Sequence, residues 1–284
     1  MGRSAQLRTY SNAVAVITGG ASGIGRSLGK ALAKRGSTVV LADIQLEMAQ
    51  AAAEEIVSSG GSATAAKLDV TDAQAVNALL KDTFEEHGRI DYMFNNAGIA
   101  INGKFQDFTM TDWQRCIDIN LLGVVHGTHA AHSIMAQQGF GHIINTASIA
   151  GIFPWPTTIA YTATKHAVVG LTTALRAELA QSGITTSVLC PGTIKTPILE
   201  PGANSERWAG NYDQEKLKAF LDGVKGMPPD LFAEKALKQI ARNKPVIVIP
   251  SKYKMFWWTN RLSPSLALEI GTKVSQVILK KIGG

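Results

Sequence analysis

Short apolar runs alternate with longer amphipathic stretches through most of the chain, the pattern of a parallel sheet whose strands are joined by crossover helices. Val14 to Thr18 reads as a buried strand, Ile24 to Arg35 as a helix and Thr38 to Ala42 as a second strand. A helix over Gln45 to Ser58 leads to a weaker strand at Ala63 to Lys67. Thr71-Asp72-Ala73-Gln74 has the spacing of a capping box and opens a helix towards His87. Tyr92 to Asn95 is a fourth strand. Thr111-Asp112-Trp113-Gln114 repeats the capping-box spacing and opens one long helix reaching about Gln137. His142 to Asn145, a helix from Tyr161 to Ser182, and Thr185 to Cys190 follow, with Pro191-Gly192 ending the last strand.

From Ile194 to Pro229 the periodicity fails and glycine, proline, charge and tryptophan mix, which predicts a lid with short helices over residues 194–229. A helix to Ala241 and a strand at Val246 to Ile249 complete the sheet. Beyond residue 250, Met255-Phe256-Trp257-Trp258 precedes Leu266, Ile270, Val274, Val277 and Ile278 at helical spacing, an appended amphipathic helix. The expected fold is α/β, a single doubly wound, Rossmann-type parallel sheet flanked by helices. Residues 1–250 are expected to form one unit and residues 251–284 a basic, aromatic extension.

Composition changes this picture little. The 284 residues suit one large domain, and 45% hydrophobic against 18% charged is ordinary for a globular chain. Two cysteines, Cys116 and Cys190, have neither metal spacing nor a disulfide framework, so a cytoplasmic setting is expected. The first ten residues lack the apolar run of a secretory signal, and Gln6 stands where myristoylation wants Ser or Thr. The net charge of +6 is localised, because residues 244–284 hold seven basic residues and one acid, Glu269. A nucleic-acid face would spread basic residues through the domain, so no nucleic-acid partner is expected.

A strand, then Gly19, Gly23 and Gly25, then a helix puts glycines where the backbone turns sharply and approaches a pyrophosphate. Asp43 ends the second strand eighteen residues past Gly25, where a carboxylate accepts hydrogen bonds from a ribose 2′-OH and repels a 2′-phosphate. No Arg or Lys stands at Ala21, Ser22 or Ile44, so NAD is favoured over NADP. Asp69-Val70 and Asn95-Asn96-Ala97-Gly98 lie at further strand ends, where ligands of open α/β sheets collect.

Tyr161 and Lys165, four apart, share a helical face, and Ser148 stands thirteen residues upstream, just after the fifth strand. An ammonium about 4 Å from a phenol at an effective dielectric of about 20 supplies roughly 4 kcal/mol. That matches a downward tyrosine shift of about three units, so Lys165 is expected to favour the phenolate. A second Tyr-x-x-x-Lys, Tyr212 with Lys216, has Leu199 at the serine offset and is set aside.

These motifs, with Asn120 and with Pro191-Gly192 followed by Thr193 and Thr196, stand in the order found in short-chain dehydrogenases/reductases, and the chain resembles that family over about residues 12 to 250. The resemblance implies an NAD(P)-dependent alcohol dehydrogenase or ketone reductase with a tetrad of Asn120, Ser148, Tyr161 and Lys165. Tyr161 would exchange the substrate hydroxyl proton, Ser148 hold the substrate oxygen, Lys165 grip the nicotinamide ribose and Asn120 position a relay water. It also implies cofactor contacts at Gly19, Ser22, Gly23, Ile24, Gly25, Asp43, Ile44, Asp69, Val70, Asn96, Ala97, Gly98, Pro191, Gly192, Ile194 and Thr196. A homodimer or homotetramer is implied through the long central helix and the helix carrying Tyr161.

Ile152, Phe153, Pro154 and Trp155, with Ile198, Leu199 and Trp208, are expected to line an apolar cavity for a hydrophobic secondary alcohol or ketone. His126, His129 and His132 diverge around their helix and no carboxylate cluster joins them, so no metal site is expected. The tail has three readings: peripheral contact with an anionic membrane, a cover over the pocket, or a clasp on a neighbouring subunit. Alternatives to the NAD enzyme are an NADPH-dependent carbonyl reductase and a non-catalytic dinucleotide sensor of the same fold.

Overall fold

A computed structural model describes residues 10–199, 206–210 and 212–282. The first nine residues and residues 200–205 of the expected lid lie outside the described ones. In chain order the elements begin with β1 (Val14–Thr18), α1 (Gly23–Ala33), β2 (Thr38–Asp43), α2 (Leu46–Ser58), β3 (Ser62–Lys67), α3 (Ala73–His87) and β4 (Tyr92–Asn95). Next come β5 (Ala100–Asn102), α4 (Met110–Ile117), α5 (Gly123–Gln138), β6 (Gly141–Thr146), α6 (Ile159–Glu178) and β7 (Ile184–Pro191). The last are β8 (Glu206–Trp208), α7 (Gln214–Asp222), α8 (Pro229–Ile240), β9 (Val246–Ile249), α9 (Lys254–Leu262) and α10 (Pro264–Ile282).

Seven parallel strands form one sheet in the order β3-β2-β1-β4-β6-β7-β9. β1 and β4 are buried along their whole length, the state that their unbroken apolar runs require in a sheet covered on both faces. On one face Leu28 and Leu32 of α1 meet Phe232, Ala236 and Leu237 of α8 over Ile17 and Phe94. On the other, Val76 and Leu80 of α3 meet Ala130 and Met135 of α5 over Val16 and Met93. The chain builds outward from β1 to β3 and then crosses back to β4 on the other side of β1. The strand order therefore reverses beside β1, and a crevice opens at the carboxyl ends of β1 and β4.

Several boundaries differ from the sequence expectation. The first capping box is an Asp72 cap, its carboxylate accepting from the Gln74 and Ala75 N–H groups. The second is formed by Thr109 with Asp112, two residues earlier than Thr111. The single long helix is two, α4 and α5, joined by a π-helical turn over Asp118–Leu122 that contains Asn120. α6 begins at Ile159 and ends at Glu178, four residues short of the expected Ser182. The pair β5 and β8 was not expected, because three residues carry no periodicity.

The tail forms two helices instead of one. Pro264 opens α10, and the residue before a proline is pushed out of helical geometry, as Ser263 is with φ −148° and ψ 85°. Within the expected lid, the Lys195 N–H donates to the Met227 carbonyl at 2.9 Å and the Met227 N–H to the Thr193 carbonyl at 3.0 Å. These bonds close the base of the segment. Tyr212 is a structural residue: it is buried with Leu217 and Ile282, and its hydroxyl accepts from the Lys104 N–H at 3.0 Å.

Candidate active site

The crevice has a volume of about 700 Å³ and gathers nearly all the residues that the sequence singled out. Gly19, Ser22, Gly23 and Ile24 line it from the β1–α1 turn, and Asp43 with Ile44 from the end of β2. Asp69 and Val70 come from the end of β3, and Asn96, Ala97 and Gly98 from the end of β4. Ser148 follows β6, Tyr161 and Lys165 project from α6, and Pro191, Gly192, Ile194 and Thr196 follow β7. Gly25 and Asn120 are not on the crevice wall.

The glycine turn admits no side chain. Gly19 has φ +65°, and a Cβ there would lie 2.8 Å from the Ala97 Cα. A Cβ on Gly25 would fall 2.0 Å from the Gly19 carbonyl oxygen. Ser22 is extended just before α1 and makes no side-chain cap bond, which leaves first-turn N–H groups for an anion. A bare backbone approach at a helix start fits a dinucleotide pyrophosphate.

Side chains brace this turn. The Thr18 hydroxyl accepts from the Asn96 and Ala97 N–H groups at 3.0 and 3.1 Å. The Asn96 amide donates to the Thr18 carbonyl at 3.1 Å. Asp43 accepts from the Ala21 N–H and from the Gln45 N–H, each at 3.0 Å, and so fixes its carboxylate between the glycine turn and β2. Asp69 accepts from the Thr71 N–H at 2.9 Å.

Ser148 sits at the start of a 3-10 turn, where its Oγ accepts from the Ala150 N–H at 3.1 Å. Tyr161 faces it. Burial holds the Tyr161 phenol above its ordinary pKa, while the hydrogen bond with the Ser148 hydroxyl pulls it back down. The expectation that Lys165 sets a depressed phenol is therefore corrected: among protein groups alone, desolvation wins. Lys165 Nζ donates to the Thr146 carbonyl at 2.9 Å and stands 5.4 Å from the centre of the Tyr161 ring. Burial lowers the lysine's own pKa to about 8.

Asn120 is fully buried, and its side chain is taken up by Ile99, accepting from the Ile99 N–H and donating to the Ile99 carbonyl, both at 2.9 Å. A Cβ on Gly98 would lie 3.0 Å from Asn120 Oδ1 and 3.4 Å from Lys165 Nζ. Asn120 and Lys165 thus both press on Gly98, where a side chain would intrude. The π turn redirects the helix there, and such turns concentrate at functional sites.

Of the expected apolar lining, Trp155 and Ile198 do face the crevice. Ile152 and Phe153 do not, because they are core residues packed with Val168 and Val188. Trp208 packs on Tyr212 of the lid, and the Leu199 side chain lies outside the described ones. Asn102, Arg115 and Thr158 also line the crevice and were missed by sequence reasoning. No local motif marks them, since Asn102 on β5, Arg115 on α4 and Thr158 just before α6 are brought together only by the fold. His126 Nδ1 donates to the Val70 carbonyl at 2.9 Å.

The tail's inner face lies on its own chain. Phe256 packs edge-on to Phe153 with ring centres 5.0 Å apart, and the Asn260 amide donates to the Ile152 carbonyl at 3.1 Å. Ile278 and Leu279 pack on the Tyr212 and Leu217 cluster of the lid. None of the described tail residues lines the crevice, so this packing does not choose among the three readings.

Comparison with known proteins gives the family of the chain. The family model for short chain dehydrogenases matches residues 13–207. The chain belongs to the short-chain dehydrogenase/reductase family, a family of oxidoreductases. It is 40% identical over 192 residues to the cyclohexanol dehydrogenase of Acinetobacter sp. (strain SE19), spanning 67% of this chain and 76% of that one. It is 34% identical over 256 residues to the probable oxidoreductase EphD of Mycobacterium tuberculosis, spanning 87% of this chain but only 43% of that protein's length. Among solved structures, a short-chain dehydrogenase/reductase from Burkholderia phymatum in complex with NAD superposes with a TM-score of 0.82 at 28% identity, covering 90% of this chain and 95% of that one. Levodione reductase superposes with a TM-score of 0.73 at 29% identity, covering 84% and 96%.

Proposed function

We propose that this chain moves a hydride between NAD and a hydrophobic secondary alcohol or ketone, with Tyr161 as the general acid/base. The observation that carries the reading is the convergence of Tyr161, Ser148 and Lys165 on one crevice whose far end is the glycine turn and Asp43. When bound, the nicotinamide supplies the hydride acceptor or donor. In oxidation the substrate hydroxyl gives its proton to Tyr161 Oη as the carbinol C–H bond breaks. In reduction Tyr161 returns that proton to the carbonyl oxygen. The Ser148 hydroxyl donates a hydrogen bond to the substrate oxygen, where negative charge grows. Lys165 would hold the nicotinamide ribose, and Asn120, its side chain bonded to Ile99, would act on the proton relay only as a positioning residue.

Asp43, fixed by two backbone N–H groups, supports NAD over NADP, because a 2′-phosphate would meet its charge. Residues 1–250 are the cofactor and catalytic unit, and residues 251–284 are an extension packed against it behind Phe153 and the lid. Trp155, Ile119 and Ile198 on the crevice wall support an apolar substrate, as does the likeness to a cyclohexanol dehydrogenase. We read the assembly as a homodimer or homotetramer, and the location as cytoplasmic, in keeping with the free thiols of Cys116 and Cys190.

The test is steady-state oxidation of a panel of cyclic and linear secondary alcohols with NAD and with NADP, followed by nicotinamide absorbance. Turnover of apolar alcohols with NAD preferred is the expected result. Equal rates with NADP would remove Asp43 as the selector. Tight NAD binding without turnover of any alcohol or ketone would leave a dinucleotide sensor.

A further inference from the structure

A helix packed on protein along one side turns polar residues to solvent along the other. α9 does not. Its inner face is spent on Phe153 and Trp155, yet its outer face shows Met255, Trp258 and Leu262, at spacings of three and four, exposed by 65%, 52% and 79%. Leu266, Leu268 and Val277 of α10 are exposed as well. Six of the fourteen large hydrophobic side chains exposed among the described residues therefore fall in this one segment, which scatter does not explain.

The charge beside them has one sign. Lys254 and Arg261, seven apart on α9, run along one edge of the Trp258 face, and Lys252 precedes the helix. On α10, Leu266 and Val277 share a face with Lys273 and Lys280, and Glu269 is the only acid between residues 251 and 284. Apolar side chains flanked by lysine and arginine on a surface helix match the headgroup boundary of an anionic bilayer. No described helix is long and apolar enough to cross a membrane, so any such contact is peripheral.

We propose that the outer face of α9 and the start of α10 dock on an anionic phospholipid surface, with Met255, Trp258 and Leu262 at the acyl boundary and Lys252, Lys254 and Arg261 against lipid phosphates. A second copy of this chain is the poorer occupant. A twofold contact sets the same patch against itself, lysine on lysine, and residues 1–243 carry no net charge to complement it.

The experiment is flotation of the full chain with phosphatidylcholine vesicles, with and without phosphatidylglycerol. Each basic residue near an anionic surface contributes about fivefold to partitioning, so the three together contribute about a hundredfold. The wild type floats with anionic vesicles only and is released by high salt. The variant K252Q/K254Q/R261Q, which removes the three charges, loses about a hundredfold in partitioning. The variant W258E/L262E, changed at exposed positions only, keeps its thermal midpoint and also loses the lipid fraction. Equal recovery with and without lipid, equal binding to neutral vesicles, or flotation of either variant at the wild-type level overturns the proposal. So does a change in oligomer size instead of lipid binding in W258E/L262E. Flotation needs no turnover, so its outcome is independent of the redox assignment.

Discussion

Lys165 is held where it costs stability. The side chain is 3% exposed, and burial lowers its pKa from 10.5 to about 8. In the unfolded chain the ammonium keeps the higher value, so at pH 7 the native state carries a charge it would rather lose. A shift of about 2.5 units at 1.36 kcal/mol each is roughly 3 kcal/mol of destabilisation. The penalty is fully present below about pH 8, because the folded pKa is the depressed one, and it fades as pH rises towards 10.5. Lys165→Met keeps the length of the stem, removes the charge, and loses the hydrogen bond to the Thr146 carbonyl, which returns about 1 kcal/mol of cost. The variant is expected to be more stable than wild type by about 2 kcal/mol at pH 7, with a gain that shrinks to little or nothing by pH 10. Urea denaturation at both pH values and one fixed protomer concentration measures this. Turnover should fall sharply in the same variant. A Lys165→Met protein that is less stable at pH 7, or whose gain does not shrink on raising the pH, refutes the reasoning that desolvation dominates at this lysine.

Asp43→Ala should relax the preference for NAD over NADP, read as the ratio of kcat/KM for the two, and an unchanged ratio would point to another selector. Gly25→Ala should abolish cofactor binding in calorimetry, because its Cβ would sit 2.0 Å from the Gly19 carbonyl oxygen; retained binding would contradict the close approach of these backbones. Because burial keeps the Tyr161 phenol protonated at neutral pH, ketone reduction should run at pH 7 while alcohol oxidation, which needs the phenolate, rises with pH. Coincident pH profiles for the two directions would contradict that. Truncation after residue 250 uncovers Phe153 and the lid cluster around Tyr212, so it should raise KM for apolar substrates more than for NAD, measured by steady-state kinetics.

The sheet was legible because its strands are buried on both faces and so appear as unbroken apolar runs, as in Val14 to Thr18. The glycine turn was legible because only glycine meets its geometry, a local constraint that a single sequence states openly. What escaped depends on contacts between distant segments. The split of α4 from α5 is a π turn at Asp118–Leu122, and the residues there remain good helix formers in any local reading. Ile152 and Phe153 look like pocket lining by position and are core by packing, since Phe256, about a hundred residues on, covers them. Arg115 reaches the crevice only because the fold brings α4 beside it. The direction of the Tyr161 pKa shift was missed for a related reason. A neighbouring charge is visible in a four-residue spacing, whereas burial is a property of the whole fold.

The central claim is that the Tyr161 phenol serves a hydride transfer in this crevice. Reduced NAD deuterated at the transferring position, incubated with an apolar ketone, tests it by mass spectrometry of the alcohol formed. Wild type should place deuterium on the carbinol carbon, and Tyr161→Phe should do so about 10² to 10⁴ times more slowly while still binding NAD. A Tyr161→Phe protein that labels the product at the wild-type rate would contradict the account.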